Sequence, residues 1–462
     1  TNNTTNTLIS GKMNIDSQGI NNFITGFDNH STRDNNAFIG GNNNTFLDNT
    51  NIIGYGLFNN IKDSNQILAL GINNTVEDDS NSIIAGSMNN TIRNDKTGIL
   101  GSNNQIKGNV DSFIIGKAND ISGNNMSLAV GGTNNILNVN RSFASGLSNI
   151  MEVTNDSMTL GEANKLKNSS RTAVFGNLHD VSVNTINSII SGLNNKETTG
   201  KQNVTSGNLN EIITTDNNIT GGYKNKVTDG SNNIISGDTN QVSTSKNTIV
   251  SGNNNIVTLN ENVSVMGLSN NVNTNSKNSS MVGEENTNVT ILNSNVIGKL
   301  NQSTSIESSI VGGESNISNT AKKSIIIGES NNVNNGVNSI IVGLSNVLKD
   351  SNQSNVFGET NDVEQTTNSM IVGKTNKERE GNMDVIFGET NDISNSIISF
   401  TVGKSNIIRN STKNVTFGTE NEVTSSEDVL VNGKDNILNN VNQSTTFGIN
   451  NTVNTNTTAS LI

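Results

Sequence analysis

The chain has 462 residues, a formal net charge of −12 and a pI near 4.7, which excludes a basic surface for nucleic acid or for an anionic membrane. It contains no cysteine and no proline, so a disulfide framework and thiolate metal sites are excluded and every backbone N–H is available for pairing. No apolar run approaches the roughly 18 residues that span a bilayer, and no signal peptide opens the sequence, so the expectation is a soluble, mature or trimmed segment.

From Gly11 to Gly448 a glycine recurs every fifteen residues, 30 times in all. Three places after it stands Asn in every unit but one, where His179 takes its place. The spacing slips by one residue between Gly176 and Gly192 and again between Gly267 and Gly283. The chain therefore reads as one repeat domain, 1–462, in blocks 1–176, 177–267 and 268–462. A fixed short period over hundreds of residues defines a solenoid in which each unit is one coil.

Each unit opens with a β-branched run, as in Ser82-Ile83-Ile84 before Gly86 or Ser339-Ile340-Ile341 before Gly343, too short for a helix and suited to a strand. Glycine ends it where a positive φ or a close backbone approach is required. A second apolar position lies five places after the glycine in 22 of the 30 units and marks a second short strand. A polar loop rich in Asn, Ser, Thr and Asp completes the coil. Charged runs such as Glu77-Asp78-Asp79 and Glu378-Arg379-Glu380 fall in these loops and read as solvated turn charge.

Asparagine at plus three tolerates the left-handed region, and its amide can stack in a ladder at the strand spacing of about 4.8 Å. Gly86, Asn89, Gly101, Asn104, Gly116 and Asn119 are thus expected to form a structural turn ladder. His179 then reads as a ladder substitution, since the other histidine, His30, is ten units away. In the third block Phe357, Phe387, Phe417 and Phe447 alternate with Val342, Val372 and Val402, and Glu359, Lys374, Glu389 and Lys404 alternate in sign on successive coils.

Three or four buried apolar side chains per coil, at about 1.5 to 3 kcal/mol each, stand against roughly 1.5 kcal/mol of ordering cost per residue. A lone column is marginal. The strand before glycine is apolar on both faces, as in Phe113-Ile114-Ile115 and Ile325-Ile326-Ile327, which points to a homo-oligomer burying the second face. Apolar residues also fall just past the glycine, among them Phe27, Leu57, Phe58, Ile72 and Met88, where an exposed stripe can mark an interaction site. The stretches 182–187 and 273–278, around the two insertions, are a second choice. No triad, phosphate loop or calcium-roll motif occurs, so no enzyme and no cofactor or metal is expected.

Units reading Asn-Ser-Ile-Ile-x-Gly-x-x-Asn, at 81–89, 187–195 and 338–346, resemble the head repeats of trimeric autotransporter adhesins. That resemblance implies a left-handed parallel β-roll, a homotrimer, display at the bacterial cell surface through an outer-membrane anchor outside this sequence, and binding of a host cell-surface receptor. It also implies that the amino-terminal coils lie farthest from the cell, which singles out Phe27, Leu57, Phe58, Ile72 and Met88. The family places a small residue at plus three where this chain has Asn. A long, asparagine-rich, proline-free head is similar to fusobacterial adhesins whose receptors belong to the CEACAM family. Two other classes remain. An ice-binding solenoid would need a flat file of threonines, and here Thr, Ser, Asn and charged residues mix. A carbohydrate-active β-helix enzyme would need carboxylates converging on one face.

Overall fold

The computed structural model describes residues 3–273, 275–410, 412–450, 452–453 and 460–461. It divides into two units, 1–229 and 230–462. Each unit is a parallel β-solenoid with coils of about fifteen residues, and no helix occurs among the described residues.

With the glycine as position zero, one coil of the first unit runs as strand Ile83–Ser87, strand Asn90–Ile92 and a single bridge at Asp95, which pairs with Ser80 and Val110. Three left-handed residues turn the corners, Met88, Arg93 and Lys96, with φ of 55°, 57° and 51°. The coil is therefore three-sided, and the stretch expected to be a polar loop supplies the third side. Successive coils stack in register, Ile84 on Ile99 on Ile114 and Gly86 on Gly101 on Gly116. In the second unit Ile326 stacks on Ile341 and Val356 in the same way, with the third side bridged at Lys322, Val337 and Asn352.

The glycine row is fixed by contact as well as by torsion. Gly86, Gly101 and Gly116 have φ of 130°, 147° and 133°, and a Cβ on any of them would overlap the carbonyl oxygen of the glycine one coil on. Only a residue without a side chain lets the backbones close to strand distance there.

Five positions point inward. Minus two and plus five are mostly apolar, as in Ile84, Ile99, Ile114, Ile106 and Ile121, all at most 2 % exposed. The other three are polar and as deeply buried: Asn89, Asn104 and Asn119 at plus three, Asn94 and Asn109 at plus eight, Ser82, Thr97 and Ser112 at plus eleven. So a coil holds about two apolar side chains in its core, fewer than composition leads one to expect. The loop's polar residues are instead the other half of the interior, because the corner amides they face must find partners away from water.

The plus-three ladder shows how those partners are found. Asn104 Nδ2 donates to Asn89 Oδ1 of the coil before at 2.9 Å and to the Gly116 carbonyl of the coil after at 3.0 Å. Its backbone N–H also reaches Asn89 Oδ1, at 3.3 Å. Asn119 repeats this on Asn104 and Gly131 at 3.0 and 3.1 Å. The left-handed residue is the one before, Met88, Asn103 or Ala118. Asparagine is thus selected for its amide and not for tolerance of positive φ. His179 fills the same slot: its backbone N–H donates to Asn164 Oδ1 at 3.1 Å, its Nδ1 accepts from Asn195 N at 3.1 Å, and its Nε2 lies 3.0 Å from the Phe175 carbonyl. Burial lowers its pKa, in keeping with a neutral ring.

The first single-residue insertion is absorbed at a corner, and register is restored after both. Val183 and Asn184 are both left-handed, with φ of 57°, and the next strand returns to register with Ala173 on Ile189. Gly267 likewise pairs directly with Gly283. The alternating rows of the third block stack as expected. Val342, Phe357, Val372, Phe387, Val402 and Phe417 lie one on the next, so each ring covers a smaller side chain. Lys374 and Lys404 pair with Glu359 and Glu389 at 3.1 and 3.5 Å; such exposed pairs contribute at most about 1 kcal/mol each.

Replacing Gly116 by Ala should cost at least about 3 kcal/mol and accelerate hydrogen exchange in coils 101–131, whereas Gly108→Asn should be neutral. Gly108 has φ of 64° and open space where a Cβ would stand, and Asn adopts that region readily. Equal effects of the two substitutions would refute the stacking argument.

Candidate functional site

The strand before glycine turns positions minus three and minus one outward, and these rows carry the chain's exposed apolar surface. In the first unit Tyr55, Ile83, Leu100, Phe113 and Ile115 are 56, 50, 40, 41 and 37 % exposed. In the second, Ile297 and Ile327 stand out in the same way. Phe23 and Phe38, on adjacent coils, stack at 5.1 Å between ring centroids. Beside this row, Phe113, Leu128, Phe143 and Met158 wall an open groove whose other bank holds Asp111, Met126 and the paired Arg141 and Asp156, 2.6 Å apart. Charge lies at the plus-one edge of this face in the third block and on the next side, where Lys196 and Lys226 both reach Glu211, at 3.1 and 3.0 Å.

The five residues singled out from the sequence are all exposed but do not form one patch. Phe27, Leu57 and Ile72 lie at plus one, at the edge of the strand face; Leu57 stacks on Ile72, while Asn42 separates Phe27 from Leu57. Phe58 and Met88 are left-handed corner residues, with Asn73 occupying the corner of the coil between. The broader apolar display is the minus-three and minus-one rows. Their signal was present in the sequence as apolar residues on both faces of the strand.

Between Ile189 and Ser251 the outward rows change character. In the first unit Ile189, Val204 and Ile219 stack beside Ser191, Ser206 and Gly221. In the second, Ile234 and Ile249 stack beside Ser236 and Ser251, whose hydroxyls are 3.1 Å apart. In both stretches these two rows are smooth and uncharged, with one aliphatic residue and one Ser or Gly per coil, while Leu193, Asn208, Tyr223, Asp238 and Asn253 stand beside them at plus one.

Sequence reading also placed Asp79 and Glu378 among solvated turn charges, and the structure corrects this. Asp79 is 2 % and Glu378 1 % exposed, on the inward rows at plus eight and plus five; their neighbours Asp78, Arg379 and Glu380 point to solvent. Asp34 shares the row of Asp79 and takes hydrogen bonds from Ser31 Oγ at 2.7 Å and from Asn49 N and Nδ2 at 2.9 Å. Burial pushes both aspartates up to about 6, with Asp16 and Asp78 as the like-charged neighbours. Glu197, also fully buried, is raised for the same reason. Among the described residues no group of three or more His, Cys, Asp or Glu is placed to hold a metal ion.

One family model matches, the grass antifreeze beta roll, over residues 190–264. The match covers under a fifth of the chain, and it falls on the smooth stretches just described. No curated protein matches the chain. Fold and match together define a β-roll solenoid repeat protein.

The raised aspartates make stability depend on pH in an unusual direction. A carboxyl that binds its proton more tightly when folded stabilises in full below its unfolded value near 4, and that stabilisation is lost as pH rises through about 6. The chain should therefore resist denaturant better at pH 5 than at pH 8. Asp34→Asn combined with Asp79→Asn, which places there the residue found at Asn49, Asn94, Asn109 and Asn124, should raise stability at pH 8 by on the order of 2 kcal/mol per site and flatten the pH dependence. A wild type more stable at pH 8 than at pH 5 would contradict the assignment.

Proposed function

We propose that the chain is a non-catalytic β-solenoid that presents its strand face to an extended regular surface, and that ice is the surface this face fits. The observation that carries the reading is the coincidence of the antifreeze-roll match with the smooth rows of residues 189–221 and 234–251. Parallel strands repeat at about 4.8 Å, near the oxygen repeat of hexagonal ice. A rigid face carrying one aliphatic side chain per rung and a small hydroxyl on every rung but that of Gly221 orders water without the mobility that lysine or glutamate side chains introduce. The threonine file is replaced here by serine, at Ser191, Ser206, Ser236 and Ser251. Against catalysis stands the placement of one pair of acids that converge, Glu378 and Asp384, which are sealed from solvent.

A second reading is favoured by the bulky apolar rows outside the matched segment. Tyr55, Ile83, Phe113, Ile297 and Ile327 stand exposed on a rigid sheet, and contiguous apolar surface of that kind marks an interface. On this reading the chain is the head of a bacterial cell-surface adhesin, a left-handed roll whose three copies cover one another's strand faces. Phe27, Leu57, Phe58, Ile72 and Met88 then remain to contact a host receptor, of the CEACAM family by resemblance.

The two readings exclude each other, because a trimer that buries the strand face removes it from ice. Thermal hysteresis and inhibition of ice recrystallisation by a monomer, both lost in Ser206→Lys with an unchanged circular dichroism spectrum, are the expected results for the first. Sedimentation at three times 48.9 kDa with no ice activity would overturn it in favour of the second. In that case Phe27→Ser with Phe58→Ser should weaken receptor binding in surface plasmon resonance, and unchanged affinity would remove those residues from the interface.

A further inference from the structure

Three coils replace the apolar residue at plus five by an acid, Asp16, Glu197 and Glu378, and in each the residue at plus eight is glycine: Gly19, Gly200 and Gly381. The first two sites are built alike. A hydroxyl from the preceding coil donates to the acid, Thr7 Oγ1 to Asp16 at 2.9 Å and Ser188 Oγ to Glu197 at 2.9 Å. An amide from plus eleven of the same coil donates from the other side, Asn22 Nδ2 at 3.3 Å and Asn203 Nδ2 at 2.9 Å. Acid and amide meet in the space a Cβ would fill on the glycine. Each buried carboxylate thus has two donors, as burial of a charge demands.

The third site keeps the hydroxyl, with Ser369 Oγ donating to Glu378 Oε1 at 3.1 Å, but the amide is gone. Asp384 stands where the other sites have Asn, so two carboxyl groups, 1 % and 0 % exposed, meet in the space a Cβ would fill on Gly381. Their surroundings are unequal. Asp384 accepts from Ser399 N at 2.8 Å, from Asn382 N at 3.1 Å and from Ser396 Oγ. Glu378 Oε2 has no partner. On the coils before and after, Val363 and Ile393 occupy the same inward position. The charged residues of these coils point outward: Lys377, Arg379 and Glu380 are exposed, and Arg379 reaches Glu364 and Asp362 at 3.0 and 3.9 Å, while Arg409 reaches Asp392 at 3.9 Å. No cation faces the pair among the described residues.

We infer that Glu378 is protonated at neutral pH and donates to the Asp384 carboxylate, supplying the hydrogen bond that an asparagine supplies at the other two sites, so that this coil is locked by a shared proton and opens when alkali removes it. Burial and the neighbouring aspartate both act to keep the proton on Glu378. Losing it would leave two adjacent negative charges in the interior with three donors on one and a single hydroxyl on the other, and local opening relieves that repulsion.

Hydrogen exchange followed by mass spectrometry on the full chain, corrected for intrinsic rates between pH 6 and pH 9, reads this directly. In the wild type, protection of residues 374–400 should fall at least tenfold across that range, while coils 101–131, whose inward polar positions hold Asn and Ser and no acid, serve as internal reference. Asp384→Asn rebuilds the carboxylate–amide pair of the other sites and should make protection independent of pH. Glu378→Gln, which keeps a donor toward Asp384, should do the same. Wild-type protection that does not change with pH would overturn the inference. So would a pH dependence abolished by millimolar calcium and restored by chelator, which would assign the pair to a bound cation.

Discussion

The structure depends on one constraint: the buried asparagine amides of the plus-three row find their partners on the coil before and the coil after. The amide of Asn104 shows the pattern, since its acceptor belongs to one neighbour and its two donor contacts to both. A coil taken alone would leave such groups bare in a space water cannot enter, which costs more than its two apolar side chains return. Stacking is therefore a condition of each coil's existence. The period cannot drift, because a residue displaced by one place would aim its side chain at the opposite face of the sheet. The extra residue of the first insertion is consequently confined to a corner, at Val183 and Asn184, where left-handed backbone takes up the added length.

That constraint also shapes the distribution of polarity. The interior shares its space between two mostly apolar rows and three rows of asparagine, serine, threonine and a few acids, while further aliphatic and aromatic residues line one outer face. The apolar residues that the core does not take are displayed on the strand side, where Phe113, Ile83 and Tyr55 stand. Acids admitted to the interior must meet the same accounting as asparagine. Asp34 does so by taking three donors, and Glu378 by keeping its proton.

Much of this was legible in the sequence for physical reasons. The recurrence of glycine gave the coil length, the β-branched run gave the strand, and the apolar residues on both of its faces announced the exposed rows. The asparagine ladder was legible too, though its backbone geometry was not. Nothing in the letters separates a residue that bends the chain at Met88 from the one that bonds inward at Asn89 until φ is seen. The buried acids were hidden by a reasonable prior. Asp78 and Asp79 are adjacent and chemically identical, and only the corner between them turns one to water and the other to the core. The spacing did hold a clue, since Asp79 falls on the plus-eight position that Asn94 and Asn109 share, and a residue's place in the period outweighs its own polarity in a solenoid.

The strand face then decides what the molecule can do. The repeated rungs present their outward side chains as extended rows, and on both proposed readings recognition takes place over those rows. Where the rows are aliphatic and serine, at 189–221 and 234–251, that surface is flat and suits a lattice. Where they carry Phe and Tyr, the side chains project and suit interdigitation with another protein surface, since aromatic groups gain most when fully desolvated. Both characters occur in one chain, in separate runs of consecutive coils. Which of them governs function is therefore a question of whether the aromatic coils find partners, because once they do, the smooth coils on the same side of the same unit are covered with them.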